Sequence, residues 1–413
     1  MNNVTLLFVA QAVGYLIPVF EIPVLARALG PESYGKLVLV QALALLASLC
    51  VEYGFGISAA RQVALVSDNK SKISTIFGDV LSAKLMVSGV VALFVLPWLM
   101  LSEHAWLEPN LIAFGVLYFL AFGLSPVWLF QGLERLRLIT LADVVLRCIG
   151  LLLLLGFVRD QGDYHLALTL LASVSVLNTL AGYCLCAKWV SGVSLTFSGG
   201  FEQVKAGFHV FVYKGAGNVL TNAGAPLVSL FSGLQVLGYY APVEKVVRSF
   251  AGLATPILTG MFPHLSRLGM HNERSAVWSC LVTTGAFFIA GLLLALMVVV
   301  FGREGLALLL GGEFQGAAEL LVIFIWIVRF RLANQAMGVA GLIVMGRQKL
   351  LARLTLISSV CAVVCSALLA SKFAATGVII GFIGAEVVLF IGLMAVFFKL
   401  WSQQSEVNNC SRC

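Results

Sequence analysis

The sequence predicts an all-α, polytopic membrane protein of about twelve transmembrane helices, arranged as two six-helix lobes. Three observations carry that prediction. Of the 413 residues, 60% are hydrophobic and only 11% charged, where a soluble domain carries about 25% charged residues. With a mean hydropathy of +1.01, the chain has too few polar side chains for a water-facing surface. Apolar runs of about 20 residues, the length that crosses a bilayer core, recur from end to end. Basic residues collect in alternate gaps between those runs, as the positive-inside rule requires of short loops.

Taken in order, the runs lie at 4–26, 37–58, 79–101, 110–131, 138–157, 165–187, 209–231, 239–262, 277–301, 316–344, 351–371 and 376–399. The opening Met-Asn-Asn-Val-Thr has no basic n-region and no small-residue cleavage site follows, so the first run reads as a retained span. With the N-terminus placed in the cytoplasm, 15 of the 26 basic residues fall on cytoplasmic loops and the tail, and five on the opposite side. That bias puts both termini in the cytoplasm. Lys214, Arg353 and Lys399, toward the cytoplasmic ends of their runs, are counted with the adjoining loops and tail, and the remaining six, Lys84, Arg147, Lys245, Arg248, Arg329 and Arg331, are assigned to the spans.

The longest loop, rich in serine and glycine, reads as a polar connector. It divides the chain into an N-terminal lobe (1–188), a cytoplasmic connector (189–208) and a C-terminal lobe (209–413). The halves echo one another weakly. Pro23, Gly30 and Gly35 recur 203 positions later as Pro226, Gly233 and Gly238, and Gln131-Gly132-x-x-Arg135 recurs 214 positions later as Met345-Gly346-x-x-Lys349. An even number of spans per half gives both halves the same orientation, which predicts parallel repeats with a binding site between them.

Several classes are excluded or disfavoured. There is no Gly-x-x-x-x-Gly-Lys-Ser/Thr and no loop long enough for a nucleotide-binding domain, so no ATPase and no nucleotide cofactor is expected. No histidine or cysteine spacing fits a metal site, and most of the nine cysteines fall in or beside apolar runs, where they act as small hydrophobes. The net charge of +7 is explained by loop orientation rather than by a nucleic-acid partner. No cofactor is expected, and the chain is expected not to be an enzyme.

The informative residues are the charges in the spans, each costing about 2.5–3.5 kcal/mol at mid-bilayer depth. Glu244, Lys245 and Arg248 share one side of the eighth span by their spacings of three and four. On the tenth span Arg331, Asn334 and Gln335 form a polar stripe, with Arg329 pointing nearly the opposite way. Arg147 stands four residues after Asp143 on the fifth, the spacing of an intrahelical ion pair. A cavity lined by Arg248, Lys245, Arg331 and Arg147 suits a phosphate or carboxylate, because the planar arginine fork matches either. Among the acids, Glu52 shares a face with Gln41 and Ser48 on the second span, and a buried carboxyl of this kind suits proton coupling. Glu244 and Asp143 are the other ion-coupling candidates, with Glu21, Asp79, Glu319 and Glu386 behind them. Pro18, Pro23, Pro126, Pro226, Pro242 and Pro256 are expected to bend their spans.

Four stretches resemble a known family. Leu25-Ala-Arg-Ala-Leu-Gly-Pro-Glu-Ser-Tyr-Gly35 is similar to the R-x-LGP-x-x-YG signature after the first span of Wzx-type polysaccharide flippases. Tyr53-Gly-Phe-Gly-Ile-Ser-Ala-Ala-Arg61 resembles their end of span two. Val236-Leu-Gly-Tyr-Tyr-Ala-Pro-Val-Glu-Lys245 with Met261-Phe-Pro-His-Leu-Ser-Arg-Leu268 resembles their paired motif around span eight. The family is the polysaccharide-transport branch of the multidrug/oligosaccharidyl-lipid/polysaccharide exporters. The resemblance implies a MATE-like V of two lobes around a central cationic cavity. It also implies an activity: moving an undecaprenyl-pyrophosphate-linked oligosaccharide, such as an O-antigen repeat unit, across the bacterial inner membrane by alternating access, with proton antiport proposed for some members. Other O-antigen assembly proteins are implied partners. By position, Arg248 and Lys245 match the family's basic eighth helix and Glu52 an acidic position on its second, whereas Arg331 and Arg147 rest on the span reading alone. Twelve expected spans, without the two extra C-terminal helices of the peptidoglycan lipid flippases, argue against that relative.

Two other readings remain on the sequence. A MATE-type exporter of cationic drugs shares the fold, but its cavity would more naturally be acidic. An O-antigen polymerase or membrane glycosyltransferase would carry a longer periplasmic loop or a catalytic domain with paired acids.

Overall fold

The first helix, α1 (Asn3–Glu52), runs 50 residues. At about 1.5 Å per residue that is ~75 Å, more than twice a hydrocarbon core of about 30 Å, so α1 must cross twice. It turns at Gly30 (φ 67°, ψ 173°), a backbone region that is essentially restricted to glycine. Pro31 follows at the start of the next helical stretch, where its missing amide hydrogen costs no helical bond. The computed structural model describes residues 3–101, 108–252, 254–255, 257–258, 260–261, 265 and 273–410. Pro256, most of the predicted motif at 261–268 and Cys413 lie outside these.

After a left-handed elbow at Tyr53 (φ 47°) and Gly54 (φ 83°) come α2 (Phe55–Ala64) and α3 (Lys70–Leu101). Asn69 starts α3 by accepting the Lys72 amide at 3.1 Å, an N-cap that satisfies one orphan donor. The fourth pass is two pieces, α4 (Pro109–Gly123) and α5 (Val127–Gly132), followed by α6 (Leu136–Phe157) and α7 (Tyr164–Cys186). Helix α4 packs on α1 and α7, and α6 on α7. Tyr53, Phe55, Phe77, Trp128 and Phe130 form the core at the elbow end, with Tyr53 stacked on Phe211 at 4.5 Å. On α6, Leu141, Leu152 and Phe157 stand 56%, 67% and 62% exposed. Side chains this apolar on an open face are a lipid-facing surface.

The polar connector lies along α3: Ser191 donates its amide to Ser74 Oγ (2.9 Å), Thr196 its amide to Ser82 Oγ (3.1 Å) and its hydroxyl to Asp79 Oδ1 (3.0 Å). Only its first part is irregular, because α8 (Phe197–Asn222) begins at Phe197. The chain divides into two compact units, Met1–Asn218 and Val219–Cys413.

The second unit continues with α9 (Gly224–Gly252) and α10 (Glu273–Leu310). Next come α11 (Gln315–Phe324), α12 (Ile327–Ala336), a π-helical stretch Met337–Ile343 and α13 (Gln348–Cys410). Helix α13 has 63 residues and reverses at Ala374 (φ 51°, ψ −137°), so it too is long enough for two passes. Seven stretches of the described residues are long and apolar enough to cross a membrane, the two longest having 45 and 53 residues. The protein is therefore an all-α, multi-pass membrane protein.

The internal repeat is visible in the backbone. Gly233 (φ 81°, ψ 178°) turns α9 in the same glycine-only conformation that Gly30 imposes on α1, at the offset of 203 read from sequence. The second echo is displaced. The Arg135 amide donates to the Phe130 carbonyl and the Glu134 amide to Gln131; the Arg347 amide donates to Leu342 and the Gly346 amide to Ile343. These are two Schellman ends, with Glu134 (φ 56°) and Gly346 (φ 69°) left-handed. They correspond at 212 positions rather than 214, since the backbone turn and not the Gln-Gly dipeptide is the repeated feature. Of the six prolines expected to bend their spans, the structure describes five. Pro126 separates α4 from α5, but Pro18 and Pro23 lie within α1, Pro242 lies inside α9, and Pro226 sits in its first turn.

Candidate functional site

Each unit contains a polar site built from charges on its membrane helices. In the first unit a cavity of about 220 Å³ is lined by Ser48, Glu52, Lys84, Ser125, Trp128 and Gln131, among others. Glu52 reaches it from the C-terminal end of α1, and Lys84 from the middle of α3. Of the predicted Gln41–Ser48–Glu52 face, Ser48 and Glu52 line this space. Lys84 is only 2% exposed. Its ammonium donates to the Gly123 carbonyl at 2.9 Å and the Ser125 carbonyl at 2.8 Å, and the Glu52 carboxylate bears on it electrostatically.

Those carbonyls are available because of Pro126. Proline has no amide hydrogen and crowds the preceding turn, so α4 ends at Gly123 and α5 starts at Val127. Buried carbonyls must still find donors. Thr179 Oγ1 supplies Ala121 (2.6 Å) and the Tyr183 hydroxyl supplies Leu124 (2.8 Å), both from α7. Gly182 between them allows the close packing, since a Cβ there would stand 2.8 Å from Pro126 Cγ. Sequence reasoning placed Lys84 inside a span but gave it no role. The available signal was a lysine inside the third apolar run together with a proline inside the fourth.

Arg147 and Asp143 pair within α6, Nε to Oδ1 at 2.8 Å. Asn178 of α7 also donates to Asp143 Oδ1. The two ionic side chains are about a third exposed, 34% and 27%, and the arrangement fastens α6 to α7.

In the second unit α9 brings Glu244 and Arg248 together, with Arg248 Nη2 3.0 Å from Glu244 Oε1. Nη1 donates to Asn222 Oδ1 at 3.2 Å. Glu244 is 14% exposed and Arg248 37%, so the pair is closed on its acidic side and open on its basic side. Lys245 is half-buried beside them, and its carbonyl accepts the Ser249 hydroxyl. The buried Tyr240 hydroxyl lies within electrostatic range of Glu244, Arg248 and Arg331. Arg331 itself reaches α13, where Nε meets Glu386 Oε1 at 2.8 Å with side-chain exposures of 15% and 4%. Asn334 donates to Glu386 Oε2 (2.8 Å) and to its carbonyl (3.0 Å). Of the predicted Arg331–Asn334–Gln335 stripe, Arg331 and Asn334 both meet the Glu386 carboxylate. Pairing of this kind relieves the burial of an isolated charge. Arg329 lies over the rings of Trp326 and Phe330, each centroid 4.8 Å away. The structure thus places Glu52 at the first-unit cavity, Asp143 with Arg147 on α6, Glu244 with Arg248 and the adjacent Lys245 on α9, and Arg331 against Glu386.

Ion pairs on the apolar helices, a carbonyl-bearing helix break and apolar outer faces define the class: a multi-pass helical protein with polar sites inside its membrane helices. Among solved structures the chain is similar to the lipid II flippase MurJ in an inward closed conformation, with a TM-score of 0.70, 12% identity, and 96% and 89% of the two chains covered. It is also similar to an inward-facing multidrug resistance MATE family transporter of the MOP superfamily, with a TM-score of 0.63, 15% identity, and 98% and 96% covered. At such identities the likeness is one of fold, which is MATE-like.

The family model described as polysaccharide biosynthesis protein matches residues 1–269, and the chain belongs to that family. Two curated relatives both bear the name "Putative O-antigen transporter". That of Escherichia coli (strain K12) is 26% identical over 314 residues, covering 72% of this chain and 74% of its own. That of Shigella dysenteriae is 24% identical over 396 residues, covering 95% and 98%. The resemblance read at residues 25–35, 53–61 and 236–268 agrees with this assignment.

Proposed function

We propose that the protein is a flippase that carries an undecaprenyl-pyrophosphate-linked oligosaccharide, an O-antigen or related repeat unit, from the cytoplasmic to the periplasmic leaflet of the bacterial inner membrane. The near end-to-end match to the Shigella dysenteriae relative is the observation that carries this reading. Both termini are cytoplasmic in this proposal, and other O-antigen assembly proteins act with it.

The chemistry of the second unit supports an anionic headgroup. Arg248 is the most open of the arginine pairs, at 37%, and is assigned the first contact with the diphosphate, with Lys245 beside it. Arg331 contributes through guanidinium edges outside its Nε contact, since an arginine fork carries five donors, and Arg147, in the first unit, is assigned an anion contact of its own. Glu244, Glu386 and Asp143 hold the arginines in place when no phosphate competes for them. Glu52, beside the Lys84 ammonium, is assigned the proton-coupling role, with Glu244 and Asp143 as further carboxylates whose charge affects the cycle. Net movement requires the headgroup to bind differently in the inward- and outward-facing states.

The test is Arg248→Ala, with Arg248→Lys as its conservative companion, in a strain deleted for the gene. Surface O-antigen lost at unchanged protein level, and partly restored by lysine, is expected. Normal O-antigen in Arg248→Ala would remove the diphosphate assignment.

A further inference from the structure

The broken fourth pass contains an arrangement whose lysine and freed carbonyls the flippase reading does not use. Around Pro126 four carbonyls leave the helical pattern. Two are taken by neutral hydroxyls, those of Thr179 and Tyr183. The other two, of Gly123 and Ser125, converge on the Lys84 ammonium at 2.9 and 2.8 Å. The Glu52 carboxylate bears on the same charge, and a space of about 220 Å³ adjoins it, lined also by Ser48 and Gln131. Unwound carbonyls converging on one point next to a carboxylate, at membrane depth, are the donor set that holds a small monovalent cation. Here that point is filled by a cation on a four-carbon stem anchored in α3.

We propose that this is a monovalent-cation site with a tethered occupant. The Lys84 ammonium holds the place of a free cation, so the first unit neither needs nor binds sodium. Removing the side chain creates a vacancy that takes an alkali or primary-ammonium ion. The lysine is almost fully buried, 2% exposed, so an ordinary surface role is excluded. The stem brings its charge across from a different helix to the break, so the ammonium also ties α3 to α4 and α5. The inference concerns binding by the purified chain and stands apart from the identity of the transported lipid.

Thermal unfolding of purified protein in detergent tests it, at constant ionic strength in choline, sodium, potassium or methylammonium chloride. The parent protein is expected to unfold at one temperature in all four. Lys84→Ala is expected to unfold on the order of 10 °C lower in choline, because two buried carbonyls lose their donor. Sodium or methylammonium should return at least half of that loss, saturably, and Glu52→Gln in the same background should weaken the return. Equal unfolding temperatures for Lys84→Ala in all four salts would overturn the proposal. Should Lys84→Ala not fold, the parent decides. No cation dependence supports the tethered occupant, whereas a saturable sodium-specific shift that Glu52→Gln abolishes overturns it.

Discussion

Glu386→Ala isolates the energetics of the buried pair in the second unit. Glu386 is 4% exposed and receives Arg331 Nε at 2.8 Å and Asn334 Nδ2 at 2.8 Å. Truncation leaves the guanidinium, itself only 15% exposed, as an unpaired buried charge, a change that costs about 3–5 kcal/mol. The second unit spans Val219–Cys413; at about 2–4 °C per kcal/mol for a unit of that size, Tm should fall by ~6–20 °C. Replacing both charges, as Arg331→Met with Glu386→Leu, should recover most of the loss, because apolar substitutes for a buried pair are close to neutral. Asn334 then keeps the backbone carbonyl of residue 386 at 3.0 Å, so little polar cost remains. Thermal unfolding of the detergent-solubilised protein, followed by tryptophan fluorescence, measures all three variants. A single variant within about 2 °C of the parent, or a double variant no better than the single, would refute the reasoning.

The internal repeat makes a paired prediction. Gly30→Ala and Gly233→Ala should each cost about 1–3 kcal/mol and by similar amounts, since both force an alanine into a glycine-only backbone conformation. At Gly233 no atom lies within 4 Å of the added Cβ, so the penalty there is backbone strain alone. Unequal costs in the same unfolding assay would separate the two turns. Ala374 poses the inverse case: at φ 51° and ψ −137°, Ala374→Gly should relieve strain and raise stability by about 1 kcal/mol after the entropy cost of glycine. A lower Tm would show that the methyl group is needed there.

The contacts that could be read from the sequence are those within one helix. Asp143–Arg147 and Glu244–Arg248 stand four apart, and both close as i, i+4 pairs, because the helical repeat alone brings such residues together. The partner of Arg331 could not be read this way. Glu386 is 55 positions away, and it appeared in sequence only as one of several acids in apolar runs. Lys84 is harder still, since its partners are backbone carbonyls 39 and 41 positions away, and a carbonyl has no sequence signature until a helix breaks and frees it.

The composition and the spacing of apolar runs fixed the class by themselves, because a chain with so few polar residues can fold only where lipid replaces water and every backbone group is bonded within helices. The recurrence of Gly30 at Gly233 was visible in the sequence, whereas the glycine-only backbone angles at both were decided by the structure. Tertiary structure decided which buried charge meets which. Hydropathy sets how deep a helix sits but leaves its rotation and register open, and a change of one residue on either helix points Arg331 away from Glu386 or Lys84 away from the break at Pro126.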